Sequence, residues 1–286
     1  MEENKGIKII CPLYNAEKYI LNLDNSINKQ KNVKIENVKY VLTRSNDNSK
    51  KILEEINADY KEIKKEEFSH SLVREKEALN SNSYIVVFIS QDIIINDEYW
   101  LYNLTKPIFD GECDASYSKQ ICTNNTIEKY TRECNYPEKS FIASKDDIEK
   151  KGLKTFFFSD ASSAIKTETF KKLKGYDGKK LPINEDMYIA YKLIMNGYKI
   201  KYCADSKVIH SHTFTLKQIY DRYKLTGIFL KQNSYLDKYG TNKSGGGLAK
   251  YILKRAIQDK NIKALINFVP NMIARFIGLK IGKLRG

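Results

Sequence analysis

Short apolar runs alternate with amphipathic stretches through the first third of the chain. Residues 7–11 form an apolar run that stops at Pro12, and residues 16–29 carry Tyr19, Ile20, Leu23 and Ile27 at helical spacing. Residues 38–42 read as a second strand, followed by the polar turn 45–49 and a helix through Ile52, Leu53 and Ile56. Residues 84–92, Tyr-Ile-Val-Val-Phe-Ile-Ser-Gln-Asp, are rich in β-branched side chains and end on a carboxylate. A run of that kind predicts a strand buried on both faces, and its alternation with helices predicts a parallel, doubly wound sheet. In open α/β sheets ligands collect beyond the carboxyl ends of such strands, which is where Asp92 stands.

Over residues 111–151 the periodicity dissolves, and the stretch reads as a long surface loop or a substrate-facing insertion. Order returns at Phe156-Phe157-Phe158-Ser159-Asp160. A helix is expected over 167–175, another from Glu185 to Met195 before the stop pair Asn196-Gly197, then two short strands at 198–202 and 207–209 leading into His210-Ser211-His212. Leu216, Ile219, Tyr220, Tyr223 and Phe229 mark an amphipathic helix, and Gly245-Gly246-Gly247 reads as a hinge. The division is therefore a main domain over 1–240 and a basic amphipathic tail over 241–286. Between Leu248 and Gly286 nine Lys or Arg face a single acid, Asp259, with apolar residues between the charges. That pattern fits a helix lying on an anionic membrane surface better than the alternative, a solvated helical hairpin packed on the core.

The chain has 286 residues, 42% of them hydrophobic, enough for one large α/β core or one core with a small appendage. A formal charge of +14 predicts an anionic partner: a nucleotide, a phosphorylated lipid, an acidic bilayer or nucleic acid. Nucleic acid is the disfavoured choice, because the cations cluster in the tail and no recognised binding motif appears. Five cysteines without a Cys-x-x-Cys pair, and an opening Met-Glu-Glu-Asn-Lys without an apolar signal segment, point to a reducing cytoplasmic setting. Cys113, Cys122 and Cys134 share one polar stretch but lack a fourth zinc ligand, so ordinary thiols are expected. No run of about 20 consecutive apolar residues is present, so no membrane crossing is expected.

Three places concentrate candidate chemistry. Two of only three histidines, His210 and His212, flank one serine after a strand, and in an extended segment both face the same side. Asn184-Glu185-Asp186 opens a helix, where acids also gain from the dipole, and Asp92 ends a central strand. Each is weak alone. Together a carboxylate, an acidic pair and a histidine pair on successive element ends supply the parts for metal binding and general-base chemistry.

In this order the set resembles the inverting glycosyltransferases of family 2, with the GT-A fold. The likeness runs from Ile7 to about Asn233. It takes in Ile-Ile-Cys-Pro-Leu-Tyr-Asn-Ala-Glu-Lys-Tyr-Ile at 9–20, Ser90-Gln91-Asp92 in the place of the metal-binding Asp-x-Asp, and Asn184-Glu185-Asp186-Met187 in the place of the catalytic pair. Phe68-Ser69-His70 with Arg74, the segment 157–166, and His210-Ser211-His212 with Arg222 and Gly227 resemble more narrowly the bacterial rhamnosyltransferases of surface-polysaccharide assembly. The chain departs from the family at Thr43, where an Asp usually reads the base, and at Ser90, where the first Asp of the metal signature usually stands.

The resemblance implies a fold of Rossmann-like mixed sheet flanked by helices, with a C-terminal helical extension. It implies a nucleotide-diphospho sugar donor, dTDP-rhamnose or alternatively a UDP-hexose, and Mn2+ or Mg2+ as cofactor. Donor contacts would come from Pro12, Tyr14, Asn15, Glu17, Thr43, Arg74, Gln91, Asp92 and Lys166. Asp92 and His210 would hold the metal, with His212 the less favoured ligand. Asp186 would be the general base and Glu185 its orienting partner, with Asp160, Ser162 and Ser163 on the acceptor side. The acceptor would be a polyprenyl-linked saccharide or an oligosaccharide, met at the inner face of the cell membrane. A nucleotidyltransferase is the rival within this class, but it normally has a Gly-rich phosphate loop after the first strand, and Cys-Pro-Leu-Tyr-Asn is not one.

Overall fold

The computed structural model describes residues 5–286, without the side chains of 241–244. The opening Met1–Asn4, expected to carry no signal segment, lies outside the described residues. In chain order the elements are β1 (Ile7–Leu13), α1 (Ile20–Asn28), β2 (Ile35–Thr43), α2 (Ser49–Glu55), β3 (Tyr60–Ile63), α3 (His70–Leu79), β4 (Ile85–Ile89), α4 (Trp100–Phe109) and β5 (Ala115–Ile121). There follow α5 (Ile127–Asn135), β6 (Phe141–Ala143), α6 (Ile148–Lys151), β7 (Ser162–Lys166), α7 (Thr167–Lys172), α8 (Glu185–Met195), β8 (Ile200–Ile209), α9 (Leu216–Gln232), α10 (Thr241–Gln258) and α11 (Ile262–Arg285).

The eight strands form one sheet in the order β3-β2-β1-β4-β7-β5-β8-β6. The sheet is mixed, as the family resemblance implies: β3, β2, β1 and β4 of the alternating first half are parallel, whereas β7 runs antiparallel to both β4 and β5, and β6 antiparallel to β8. All of β4 is buried, and its alternate residues feed two cores. Val87 and Ile89 pack with Ile9, Cys11 and Trp100 on one face, while Val86 and Phe88 pack with Ile10, Phe170 and α8 on the other. Burial on both faces explains why the central strands read as continuous apolar runs.

Residues 111–151 are not a loop. They contain β5, α5, β6 and α6, with six of the seven β5 positions buried. The strand escapes hydrophobic patterning because one of its two buried faces carries serines, Ser116 donating to Leu104 O and Ser118 joining a network of hydroxyls. Ser118 Oγ lies 2.6 Å from Ser162 Oγ and 2.7 Å from Ser206 Oγ, and Trp100 Nε1 donates to Ser118 and Ser162 at 3.1 Å. The two short strands expected over 198–209 are a single strand, β8. The apparent break is an irregularity at which Ser118 pairs with Cys203 but Lys119 pairs with Lys207.

Gly245, Gly246 and Gly247 are not a hinge but lie inside α10, whose Ile252 and Ala256 bury against Ile127 and Tyr130 of α5. α11 then packs along α9 through small residues. A Cβ at Gly282 would collide with the Lys224 carbonyl, and one at Gly278 would lie 3.1 Å from Lys224 N, so the two backbones touch. The opposite face of α11 is exposed and apolar at Ile262, Ile266, Val269, Ile273 and Phe276. By length and composition alone α11 is long and apolar enough to cross a membrane, although Lys263, Asn267, Asn271, Arg275 and Lys280 interrupt any continuous apolar run.

Candidate active site

The segment before α8 is fixed from below by α3. Glu75 accepts from Tyr176 N and from Gly178 N, and Ser71 Oγ donates to Lys179 O and accepts from Leu181 N. The chain then turns at Asn184, whose left-handed φ of 60° suits asparagine, and delivers Glu185 and Asp186 as the first turn of α8. Arg74, from α3, is 3% exposed and donates to Glu185 Oε1 at 3.0 Å and to the carbonyls of His70 and Asp160. Glu185 is thereby committed to an ion pair, and Asp186 is left facing the opening. Burial, and the nearby carboxylates of Glu185 and Asp160, push the Asp186 carboxyl well above the usual range. A carboxylate so placed is a stronger base than an ordinary aspartate.

Two clefts meet over the carboxyl ends of β1 and β4. One, of about 280 Å³, is lined by Pro12, Leu13, Tyr14, Phe68 and Gln91. The other, of about 500 Å³, holds Asp160, Asn184, Glu185, Asp186, His210, His212 and Arg222. Both are lined by His70, Arg74, Ser90 and Asp92. Gln91 ties the chain after β4 to the end of β1, accepting from Tyr14 N at 2.7 Å and donating to Tyr14 O at 3.0 Å.

Asp92, His210 and His212 offer ligand atoms within 4.8 Å of one another. His210 Nε2 lies 3.4 Å from Asp92 Oδ1 and 2.8 Å from His212 Nε2. The protons in this cluster follow from Gln120, on β5. Its Nε2 donates to Ser159 Oγ at 2.7 Å and its Oε1 accepts from Arg132 at 2.5 Å, so Oε1 also faces His210 Nδ1 at 2.9 Å. Nδ1 therefore carries a proton, which in the neutral ring leaves Nε2, facing Asp92 and His212, as the atom able to ligate a metal. In that form His210 Nε2 accepts from His212 Nε2–H. Burial and the neighbouring His210 push the His212 imidazole down to about 4, so it is neutral at physiological pH. Two imidazoles with one carboxylate suit a borderline divalent ion such as Mn2+ better than the all-oxygen preference of Mg2+.

Not every sequence candidate reaches the clefts. Asn15 and Glu17 are exposed outside their linings, and the Glu17 carboxylate is engaged by Asn48 N and Nδ2. Thr43 is buried at the end of β2 with its Oγ1 unpartnered among the described residues. Lys166 lies away from the clefts: it pairs with Ile85 at the start of β4, because β7 runs antiparallel and carries it to the end of the strands opposite Asp92. Ser162 and Ser163 are corrected, since both are fully buried, Ser162 in the hydroxyl network and Ser163 donating to Asp160 Oδ1. The other oxygen of Asp160 accepts from Tyr176 OH, so both oxygens of this 2%-exposed carboxylate, which lines the larger cleft, already have a partner within the protein.

Gln120, Arg132 and Phe214 escaped sequence reading. The first two sit in the stretch that looked like a loop, where a Lys-Gln pair on a serine-rich strand carries no hydrophobic signal. Phe214 stacks on His212 at 5.0 Å and beneath the Arg222 guanidinium at 4.9 Å, and it could have been found as an aromatic directly after the His-x-His segment.

Comparison with known proteins agrees with this geometry. The family model for glycosyl transferase family 2 matches residues 8–174. The O-antigen chain rhamnosyltransferase RfbN of Salmonella typhimurium is 29% identical over 97% of this chain and 89% of that protein. WbaN of Salmonella anatum, also an O-antigen chain rhamnosyltransferase, is 32% identical over 77% of this chain and 71% of its own length. Staphylococcus aureus TarS 1-349 in complex with UDP-GlcNAc superposes with a TM-score of 0.56 at 15% identity, covering 98% of this chain and 92% of that one. The mannosyltransferase PcManGT of Pyrobaculum calidifontis, in complex with GDP-Man and Mn2+, gives 0.56 at 16% identity over 99% of this chain and 74% of its own. With the mixed sheet and helical flanks of a GT-A glycosyltransferase, the chain belongs to glycosyl transferase family 2.

Proposed function

We propose that the protein is an inverting, metal-dependent transferase that moves L-rhamnose from dTDP-rhamnose to a saccharide carried on a polyprenyl lipid, in cell-surface polysaccharide synthesis. The donor sugar is supported by the two rhamnosyltransferase relatives. The observation that carries the chemistry is one cleft holding Asp186 and the Asp92–His210–His212 cluster together.

Pro12 and Tyr14 would flank the base and ribose, with the unpartnered Thr43 Oγ1 at the strand end where the base is otherwise read. Asp92 and His210 would hold the divalent ion, Mn2+ in preference to Mg2+, and His212 would give way because its Nε2 carries the proton on the shared axis. When bound, the ion supplies positive charge to the departing diphosphate. Arg222, held over Phe214 at the cleft wall, adds a second cation for the same charge. Asp186 removes the proton from the acceptor hydroxyl as its oxygen attacks the anomeric carbon and the bond to the diphosphate breaks. Glu185, clamped by Arg74, keeps the first turn of α8 in place. Asn184 Nδ2, buried without a partner among the described residues, is a free donor for the acceptor beside the base.

The setting follows from the tail. Residues 241–286 would form a peripheral appendage that rests the exposed apolar face of α11 and the flanking lysines on the anionic inner surface of the cell membrane, where a cytoplasmic enzyme meets lipid-linked acceptors. The test is a panel of nucleotide sugars assayed for binding and slow hydrolysis with and without Mn2+. Turnover of dTDP-rhamnose that Asp186→Asn removes without loss of donor binding is the expected result. Turnover of UDP-hexoses alone would overturn the donor assignment, and loss of donor binding in Asp186→Asn would overturn the base.

A further inference from the structure

A third cavity, of about 210 Å³, opens between the start of α5, the segment 212–216, the first turn of α9 and α11. It adjoins the catalytic cleft, since His212 and Glu128 line both. Its floor is Arg275, which is 9% exposed. The guanidinium donates to Asn271 Oδ1 at 2.7 Å, to Tyr223 OH at 2.6 Å and to Thr131 Oγ1 at 3.3 Å, and every one of these acceptors is neutral. Among the described residues no carboxylate lies within ion-pair distance of it, whereas the other buried arginine, Arg74, is met by Glu185. The one acid in the lining, Glu128, is held on Arg132 at 3.3 Å. Arg275 thus has no carboxylate to meet its charge, only the face of the Tyr223 ring 5.1 Å away, and two of its N–H groups are not used by these three acceptors, an arrangement that an anion in the pocket would complete. Lys263, Asn267, Thr213 and Thr215 at the walls and rim are further cationic and polar groups of the kind that hold phosphate oxygens and sugar hydroxyls.

We infer that this pocket binds a phosphate ester, namely the phosphate that joins the acceptor saccharide to its lipid carrier. The inference rests on the reading of the acceptor as lipid-linked. It adds that α11 contributes a wall of the acceptor site with one face while the opposite face is the apolar one at Ile266, Val269 and Ile273. A lipid chain leaving the pocket beside α11 would then enter the bilayer on which that apolar face rests.

The test uses the full-length protein in EDTA, titrated calorimetrically with a short-chain isoprenyl diphosphate and with inorganic pyrophosphate, and separately with anionic phosphatidylglycerol vesicles. Donor affinity with Mn2+ is measured on the same preparations. Arg275→Gln is expected to weaken the isoprenyl diphosphate by roughly tenfold or more, as loss of charged hydrogen bonds does, with donor affinity retained. Lys263→Gln, an exposed change at the rim, is expected to weaken it by a few-fold, and it decides the matter if Arg275→Gln does not fold. Equal affinity in wild type and variants, no binding by wild type, or an equal loss of donor affinity would overturn the inference. Loss confined to the vesicles would assign the phosphate to a bilayer headgroup and overturn the acceptor assignment. Because donor turnover is read separately, a failed nucleotide-sugar panel would leave this result standing.

Discussion

Gln120→Leu is the sharpest probe of the metal cluster, because Gln120 is not itself a ligand yet fixes the proton on one. Its amide is 2% exposed, accepts from His210 Nδ1 and Arg132, and donates to Ser159. Leucine is close in volume, so the cavity term is small, and Arg132 keeps its pair with Glu128 at 3.3 Å. What disappears is the acceptor that keeps the proton on Nδ1. Free to take its commoner tautomer, His210 would then present N–H where the lone pair stood. Outer partners of this kind are worth about 10–100-fold in metal affinity, or roughly 1.4–2.7 kcal/mol. Mn2+ titration followed by electron paramagnetic resonance, with nucleoside diphosphate present, should register that loss. Gln120→Glu, which supplies a carboxylate at the same reach, should retain or raise affinity. Nitrogen-15 spectra of the metal-free protein should assign the His210 proton to Nδ1 in wild type and shift it in Gln120→Leu. Unchanged Mn2+ affinity in Gln120→Leu, or a wild-type His210 protonated at Nε2, would refute the reasoning.

Other outcomes follow from the same geometry. The raised Asp186 carboxyl means that the folded state holds this proton more tightly than the unfolded chain, so its contribution to stability is present at low pH and lost as pH rises through the folded value. Asp186→Asn should therefore abolish transfer yet raise the melting temperature at pH 7, with no gain at pH 4; a lower melting temperature at pH 7 would contradict the assigned burial. Arg74→Met leaves Glu185 buried without its cation and should cost about 3–5 kcal/mol in urea unfolding, as broken buried pairs do. Gly282→Ala places a Cβ 2.8 Å from Gly227 Cα and against the Lys224 carbonyl, so separation of α11 from α9 should cost about 1–3 kcal/mol, read from the unfolding midpoint. Ile273→Asp with Phe276→Asp, on the exposed face of α11, should release the protein from anionic vesicles while its unfolding curve stays in place; retained vesicle binding would assign that face another role.

By itself the sequence determined the half of the fold whose strands are buried on both faces, because burial in a parallel sheet selects continuous β-branched runs such as Ile85–Ile89. It also singled out Asp92, the Glu185–Asp186 pair and the histidine pair, since rare polar residues at the ends of apolar elements stand out locally. Tertiary structure alone decided the rest. β5 was invisible because one of its buried faces carries serines, of which Ser118 finds its partners only when β7, β8 and Trp100 come together. Lys166 and Ser162 look equally plausible as contacts in sequence, but the antiparallel run of β7 takes one to the opposite end of the strands and buries the other. Strand direction, and the pairing of polar groups across distant segments, are set by which elements become neighbours. No window of sequence contains that information, and with it came Gln120 behind His210 and Arg275 without a carboxylate.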